Sequence, residues 1–238
     1  MKAMILAAGL GTRLKPWTDQ HPKALALVNG KSLLQRNIEY LQLSGIRDVI
    51  VNVHHFADQI IDAIQTNKGW GSTITISDET DAVLETGGGL KKVAWYFTET
   101  EDFVLMNVDI LTDLNLQAMI LQQKKANPLA TLAVSNRPTS RFFLFTANHE
   151  LCGWRNVKTG KEKVMQKETN LEQRAFSGIH IINARIFPLI TQEGKFSIVD
   201  IYLSLCNNHA IQYFDHSGSR FIDVGKPESV QLAEQLFV

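Results

Sequence analysis

Cysteine is scarce: the 238 residues contain two, Cys152 and Cys206. Two cysteines cannot build a disulfide framework or a four-thiolate zinc site. They are read as free thiols in a reducing cytoplasm, with a single disulfide as the alternative. No apolar run approaches the roughly 20 residues that cross a bilayer. Net charge is missing too. The 24 Lys and Arg balance 24 Asp and Glu, which removes bulk charge as a reason to expect nucleic acid as a partner. There is no internal repeat, no low-complexity tract and no composition-marked linker. A cleaved leader is not expected, because cleavage would remove the glycine turn at Gly9. What is present is 45% hydrophobic, ample for a core, and long enough for one large α/β domain.

The chain is organised around its first residues. Ala3-Met4-Ile5-Leu6-Ala7-Ala8 is an apolar run too short for a helix core, and Gly9 bounds it, so it reads as a buried strand. Gly9 and Gly11 allow a backbone that approaches a ligand closely. Ligands of open α/β sheets bind at the carboxyl ends of strands. Arg13 and Lys23 add fixed positive charge suited to phosphate. Rival readings are visible in the same residues. A dinucleotide fingerprint needs a glycine where Leu14 stands, and the P-loop-like ending at Gly30-Lys31-Ser32 lacks its first glycine, Leu25 standing there. A purely structural turn also remains open.

Downstream, apolar spacing predicts a helix over Ser32–Leu41 stopped by Gly45, a strand over Asp48–Val53, a helix over Ala57–Ile64, and strands over Thr73–Ile76 and Phe103–Val108. Strands alternating with helices predict a mostly parallel sheet covered on both faces. The second half reads differently. Strand-like runs at Ala130–Val134, Phe142–Phe145, Lys163–Met165 and Ile179–Ile182 are separated by turns, and helices follow at Ile198–Cys206 and Glu228–Leu236. This half is expected to extend the sheet with antiparallel pieces and a small lobe. Leu84-Glu85-Thr86-Gly87-Gly88-Gly89 reads as a loop feeding a helix N-terminus or as a flexible connector. Asp109, at a predicted strand end, suits a hard cation or a helix cap, and Asp223 supplies a second carboxylate. The seven histidines show no ligand spacing, and Trp70, Trp95 and Trp154 read as packing residues.

Gly9-x-Gly11-Thr12-Arg13-Leu14-x-Pro16, followed by Pro22-Lys23-Ala24-Leu25, resembles the signature of the sugar-1-phosphate nucleotidyltransferases. These enzymes join a nucleoside triphosphate to a sugar 1-phosphate and release pyrophosphate. The resemblance covers nearly the whole chain and is weakest from about Ser135 to Asn170. It implies a three-layer, Rossmann-like α/β fold with a mostly parallel mixed sheet. It also implies one domain, 1–238, with residues 1–125 mainly holding nucleotide and 126–238 mainly holding sugar phosphate.

The same resemblance assigns roles. Leu6, Ala7, Ala8, Gly9, Gly11, Thr12, Arg13, Lys23, Glu79, Glu85, Thr86 and Gly87 would hold the nucleotide. Asn107, Gln166 and Gly178 would face the sugar, and Asp109 and Asp223 would hold Mg²⁺. Arg13 would neutralise pyrophosphate, while Lys23 and Lys167 would orient phosphates at the reacting centre. Phe196–Asp200 resembles the start of a family helix, with Asp200 read as structural. Two departures stand out: Val108 replaces the usual glycine before the first aspartate, and Gln166 replaces the acid of a Glu-Lys pair. Within the family, the Leu84–Gly89 segment is most similar to that of uridylyltransferases acting on N-acetylmuramate 1-phosphate, and it also occurs in guanylyltransferases. The expectation is therefore UTP and N-acetylmuramate 1-phosphate in a cytoplasmic monomer or small homo-oligomer. The alternatives are a guanylyltransferase for mannose or heptose 1-phosphate and a non-catalytic nucleotide-sugar-binding regulatory subunit. A dehydrogenase is disfavoured by Leu14 and by His54, which ends the second strand where an acid would bind ribose.

Overall fold

The computed structural model describes residues 1–166 and 170–237. In chain order it contains β1 (Lys2–Leu6), a two-stranded hairpin β2 (Leu27–Val28) and β3 (Lys31–Ser32), α1 (Leu33–Leu43), β4 (Asp48–Val53), α2 (Ala57–Thr66), β5 (Thr73–Asp78) and α3 (Glu85–Lys92). There follow β6 (Asp102–Asn107), β7 (Ile110–Thr112), α4 (Leu116–Ala126), β8 (Ala130–Ser135), β9 (Arg141–Phe145), β10 (Leu151–Asn156), β11 (Lys161–Val164) and β12 (Glu172–Asn183). The chain ends with α5 (Ile198–Leu205), β13 (Ile211–Asp215), β14 (Phe221–Asp223) and α6 (Pro227–Leu236).

β1 pairs in parallel with β4 on one side and β6 on the other, and β4 pairs in parallel with β5. The order therefore runs outward from β1 in opposite directions, which makes the β1/β6 boundary the switch point of the sheet. β12 lies antiparallel to β6 and to β8, and β13 joins β8 in parallel. The start of β12 leaves the main sheet and pairs with β9, which carries β10 and β11 as an antiparallel lobe. Both faces of the central strands are dry. Ala3, Ile5, Val49, Val51, Val104 and Met106 meet α1, α2 and α4, whereas Met4, Ile50, Phe103 and Leu105 meet the layer containing α3 and α5. This is the expected three-layer arrangement with a mostly parallel mixed sheet. α1 starts where Ser32 Oγ accepts from Gln35 N at 3.1 Å, and it buries Leu33, Leu34, Ile38 and Leu41 at helical spacing. Among the described residues no helix is long and apolar enough to cross a membrane.

Several local expectations are corrected. β6 stops pairing at Asn107, so Asp109 sits in the turn to β7 rather than at a strand end. It caps no helix either: α4 begins where Asn115 Oδ1 accepts from Ala118 N at 3.0 Å. α4 itself was hidden in the sequence because its inward stripe, Leu116, Met119 and Ile120, continues with a fully buried Gln123. That amide donates to Asp102 Oδ1 and accepts from Thr131 Oγ1, so its burial is satisfied. β10 and β13 are additional strands, and the strand expected at Lys163–Met165 lies at Lys161–Val164. Gly87, Gly88 and Gly89 are not a loop; all three lie inside α3. Both cysteines are buried, and Cys152 Sγ donates to Leu144 O at 3.4 Å.

His180 gives the fold a measurable acid sensitivity. It lies in β12, 1% exposed, with Nδ1 2.7 Å from Tyr202 Oη. Burial drives its pKa down from 6.5 to about 3. Between those values the unfolded chain binds a proton that the folded chain does not. The contribution is therefore intact above pH 6.5 and is lost as pH falls toward 3, by up to about 1.4 kcal/mol per pH unit. Urea denaturation near pH 7 and pH 4.5 should show a steeper loss for the native chain than for His180→Gln. Parallel losses would rule the assignment out.

Candidate active site

A cavity of about 450 Å³ opens at the carboxyl ends of β1 and β6, where the strand order reverses. Leu6, Ala7, Ala8, Gly9, Gly11, Thr12, Arg13 and Lys23 form one wall. Gly11 takes φ +61°, and a Cβ there would stand 2.9 Å from Thr18 Cγ2 and 3.0 Å from Lys23 Cβ. The turn is fixed by Leu14 N and Thr18 Oγ1, which donate to Gly11 O at 2.8 and 3.0 Å. It leaves the Arg13 side chain 60% exposed.

Charge converges at the floor. Lys23 Nζ donates to Asp109 Oδ2 in a largely enclosed ion pair. Val224 N donates to Asp109 O at 2.8 Å, which draws the end of β14 against the same turn, and Asp223 Oδ2 lies 3.9 Å from Arg13 Nη2. Burial, then the negative charge of Asp109, pushes the Asp223 carboxyl up, against Lys23, Arg13 and Arg137. Two neighbouring carboxylates, one of them held above its ordinary range, fit a hard divalent cation that takes one or two carboxylates and keeps phosphate and water ligands. Among the described residues there is no cage of three or more His, Cys, Asp or Glu side chains. Val108, the departure from the family pattern, keeps an ordinary backbone, is 5% exposed and packs in the core beneath the turn.

The opposite wall contains a polar chain that begins on the first strand's loop. Ala7 N donates to Asn52 Oδ1 at 2.7 Å, and Asn52 Nδ2 donates to Glu79 Oε1 at 2.9 Å. Glu79 is 2% exposed, and its Oε2 is buried with no partner among the described residues. Burial raises its pKa, opposed first by the hydrogen bond from Asn52. Glu85 and Thr86 also line the cavity, although Thr86 Oγ1 accepts from Ile198 N at 2.9 Å and so holds the start of α5. Gly87 lies outside the cavity wall. Its N–H donates to Phe196 O at 2.9 Å, and a Cβ would sit 2.6 Å from the Phe196 ring. The glycines therefore permit close packing: Gly88 faces Gly194 O, and Gly89 faces Glu79 Oε1.

A second cavity, about 820 Å³, shares Arg13 and Ser197 with the first and includes Asp223. Asn107 lines the first cavity, and Gly178, at φ +72°, packs so closely that a Cβ would lie 2.8 Å from Asn107 Nδ2. Gln166 turns elsewhere, its Nε2 donating to Cys206 O at 3.2 Å. Lys167 lies outside the described residues. Trp154 packs against the core, as read from the sequence, and also lines the second cavity, while Asp200 pairs with Lys163 at 3.1 Å. Sequence reasoning missed Asn52, Ser197, Gly225 and Arg137. Only Gly225 had a local signal, its place in the Asp-x-Gly-x-Pro-Glu run.

A model of the nucleotidyl transferase family matches residues 2–236. This chain belongs to that family. Among its relatives is the N-acetylmuramate alpha-1-phosphate uridylyltransferase of Caulobacter vibrioides, 43% identical over 109 residues that cover 45% of each chain. Another is the D-glycero-alpha-D-manno-heptose 1-phosphate guanylyltransferase of Aneurinibacillus thermoaerophilus, 29% identical over 99% of this chain and 97% of that one. The match spans about half the length of the curated N-acetylmuramate relatives and 60% of a Synechocystis UTP–glucose-1-phosphate uridylyltransferase. The fold is shared with HddC of Yersinia pseudotuberculosis complexed with GMP-PN, at TM-score 0.77 and 24% identity, covering 100% of this chain and 99% of that one. It is also shared with the UDP-glucose pyrophosphorylase of Acinetobacter baumannii, at TM-score 0.79 and 17% identity over 99% and 92% of the two chains.

Two glycines separate fold from site in this member of the nucleotidyl transferase family. A Cβ on Gly88 would stand 2.4 Å from a backbone carbonyl, Gly194 O. Gly88→Ala should therefore destabilise the fold by about 1–3 kcal/mol. A Cβ on Gly225 would meet Asp223 Oδ1 at 2.7 Å and Arg13 Nη2 at 2.8 Å, both ends of movable side chains. Gly225→Ala should keep its denaturation midpoint while nucleotidyl transfer falls by about tenfold or more. A Gly225→Ala protein with native turnover would disprove the proposed closeness of this pair to the reacting groups.

Proposed function

We propose that the chain transfers the uridylyl group of UTP to a sugar 1-phosphate, with N-acetylmuramate 1-phosphate as acceptor, and releases pyrophosphate. The observation that carries this reading is the convergence of Arg13, Lys23, Asp109 and Asp223 between two connected cavities. An oxygen of the sugar phosphate attacks the α-phosphorus, a bond to that phosphorus forms, and the bond to the departing pyrophosphate breaks. No covalent enzyme intermediate is required, so positioning and charge neutralisation carry the rate. Arg13, exposed at the loop tip, meets the charge of the leaving pyrophosphate. Lys23 holds Asp109 and is the cation nearest the floor for orienting phosphate. Asp109 and Asp223 would hold Mg²⁺, which supplies charge neutralisation to phosphate oxygens. With both carboxylates, Lys23 and Arg13 present, the regulatory-subunit alternative has nothing in its favour beyond Val108. A monomer or small homo-oligomer acting in the cytoplasm fits the same reading.

The base preference rests on Glu79. In its ionised form it offers one open oxygen, the other already accepting from Asn52. Uracil presents a single ring donor, N3–H, whereas guanine presents N1–H and N2–H side by side and calls for both oxygens. Cytosine and adenine have no ring N–H on that edge. The relative with 43% identity over 109 residues, a uridylyltransferase, supports the same choice. A grid of four nucleoside triphosphates against several sugar 1-phosphates, read as Mg²⁺-dependent pyrophosphate release, tests it. UTP should be fastest; faster turnover with GTP on any acceptor would overturn the base assignment and favour the guanylyltransferase reading.

Glu79→Gln provides a sharper check. Asn52 Nδ2 would hold the new amide's oxygen, leaving its NH₂ where Oε2 stood. A donor would then face N3–H of uracil but match the bare N3 of cytosine. UTP kcat/KM should fall about 100-fold or more while CTP improves. Retained UTP preference in Glu79→Gln would remove Glu79 from base reading.

A further inference from the structure

The second cavity has more positive charge than a single phosphate needs. Its lining includes Arg13, Arg137, Arg141 and Lys163 against Asp200 and Asp223. Lys163 is paired with Asp200, and Arg13 with Asp223 stands at the phosphate end shared with the first cavity. Arg137 and Arg141 make no ion pair among the described residues, and they fall in the segment where the family signature is weakest.

Arg137 is held in place as a binding group would be. Its Nη2 donates to Phe176 O at 2.7 Å, and its guanidinium carbon stands 5.0 Å from the centre of the Phe221 ring. Its Nε is buried without a partner, and Nη1 makes no hydrogen bond among the described residues. Thr139 and Ser140 bring hydroxyls to the same cavity, while Phe143, Trp154 and Phe176 give it an apolar side. An anchored guanidinium with an open nitrogen beside hydroxyls and rings suits a planar two-oxygen anion carried on a partly apolar body.

We infer that Arg137 is a specificity residue that binds a carboxylate on the ring substituent of the acceptor, distinct from the anomeric phosphate that reacts. This rests on the reading of the chain as a sugar-1-phosphate uridylyltransferase and supplies that reading with the residue that selects its sugar.

The test compares acceptors that differ by one carboxylate, N-acetylmuramate 1-phosphate against N-acetylglucosamine 1-phosphate, with UTP. The native chain should favour the first. Arg137→Gln should lower kcat/KM for the carboxylated acceptor about 30-fold or more, leave the neutral one within about threefold, and leave the KM for UTP unchanged. Arg137→Lys should recover part of the loss. An equal loss on both acceptors would assign Arg137 to the phosphate or to the fold and overturn the inference. A native preference for the neutral acceptor would also overturn it while leaving uridylyl transfer standing. Absence of pyrophosphate release with either acceptor would sink both.

Discussion

The ion pair between Lys23 and Asp109 is the contact on which the rest of the site depends. Both side chains are largely enclosed, 10% and 18% exposed, so breaking one partner away would strand a charge out of water, at a cost of about 3–5 kcal/mol. Three remote segments meet at this pair. Lys23 comes from the loop after β1, Asp109 from the turn between β6 and β7, and Val224 donates to Asp109 O from the chain after β14. Asn37 adds a fourth hold, its Nδ2 donating to Val108 O at 2.8 Å and to Leu33 O. The turn is thereby fixed from helix, loop and strand at once, the precision that its proposed role beside a reacting phosphate would require.

β12 connects this centre to the second cavity. Its final residues, Ile179–Asn183, pair with the edge of β6 opposite β1, whereas Glu172–Arg174 pair with β9 in the lobe. The pairing with β8 shifts register between Phe176 and His180, and the irregular stretch contains Ser177 and Gly178. Phe176 and these two residues each hold a different neighbour. Phe176 O receives Arg137, Ser177 Oγ meets His216 Nε2 at 2.7 Å, and Gly178 packs against Asn107. A bulge re-aims side chains that a regular strand would send to alternating faces. Here it lets one strand line the second cavity through Phe176 and press on Asn107 of the first through Gly178.

The nucleotide loop was legible because its chemistry is local: glycines, a cation and a strand end lie within a dozen residues, and the structure brings nearly all of the expected loop residues to one wall. Asn52 was not legible, since its role consists of two hydrogen bonds to residues 45 and 27 positions away. The triple glycine misled for a physical reason. Glycine disfavours helix by about 1 kcal/mol per residue. Yet α3 keeps three of them because Phe196, Gly194 and Glu79 press against it where side chains would not fit. Close approach, rather than flexibility, is what those positions require, and a lone sequence does not reveal what approaches. Gln166 shows the same limit: the motif around it is familiar, but its amide is spent on Cys206 O. Arg137 sits where the sequence least resembles its family, so no pattern could point to it.

Five buried polar side-chain atoms lack partners among the described residues, and two of them belong to cavity-lining residues, Glu79 Oε2 and Arg137 Nε. An unsatisfied buried group costs about 1–3 kcal/mol, which a stability-driven sequence would remove by an apolar replacement of similar shape. Their chemistry is opposite: Glu79, which lines the first cavity, leaves an acceptor unpartnered, and Arg137, which lines the second, leaves a donor. A base with a ring N–H satisfies the first and not the second, and an anion satisfies the second and is repelled by the first. On the proposed reading the two cavities would reject each other's occupant as well as hold their own, which is the stronger route to specificity. Arg13 and Ser197 line both cavities, and the proposed reaction would bring its phosphates together there.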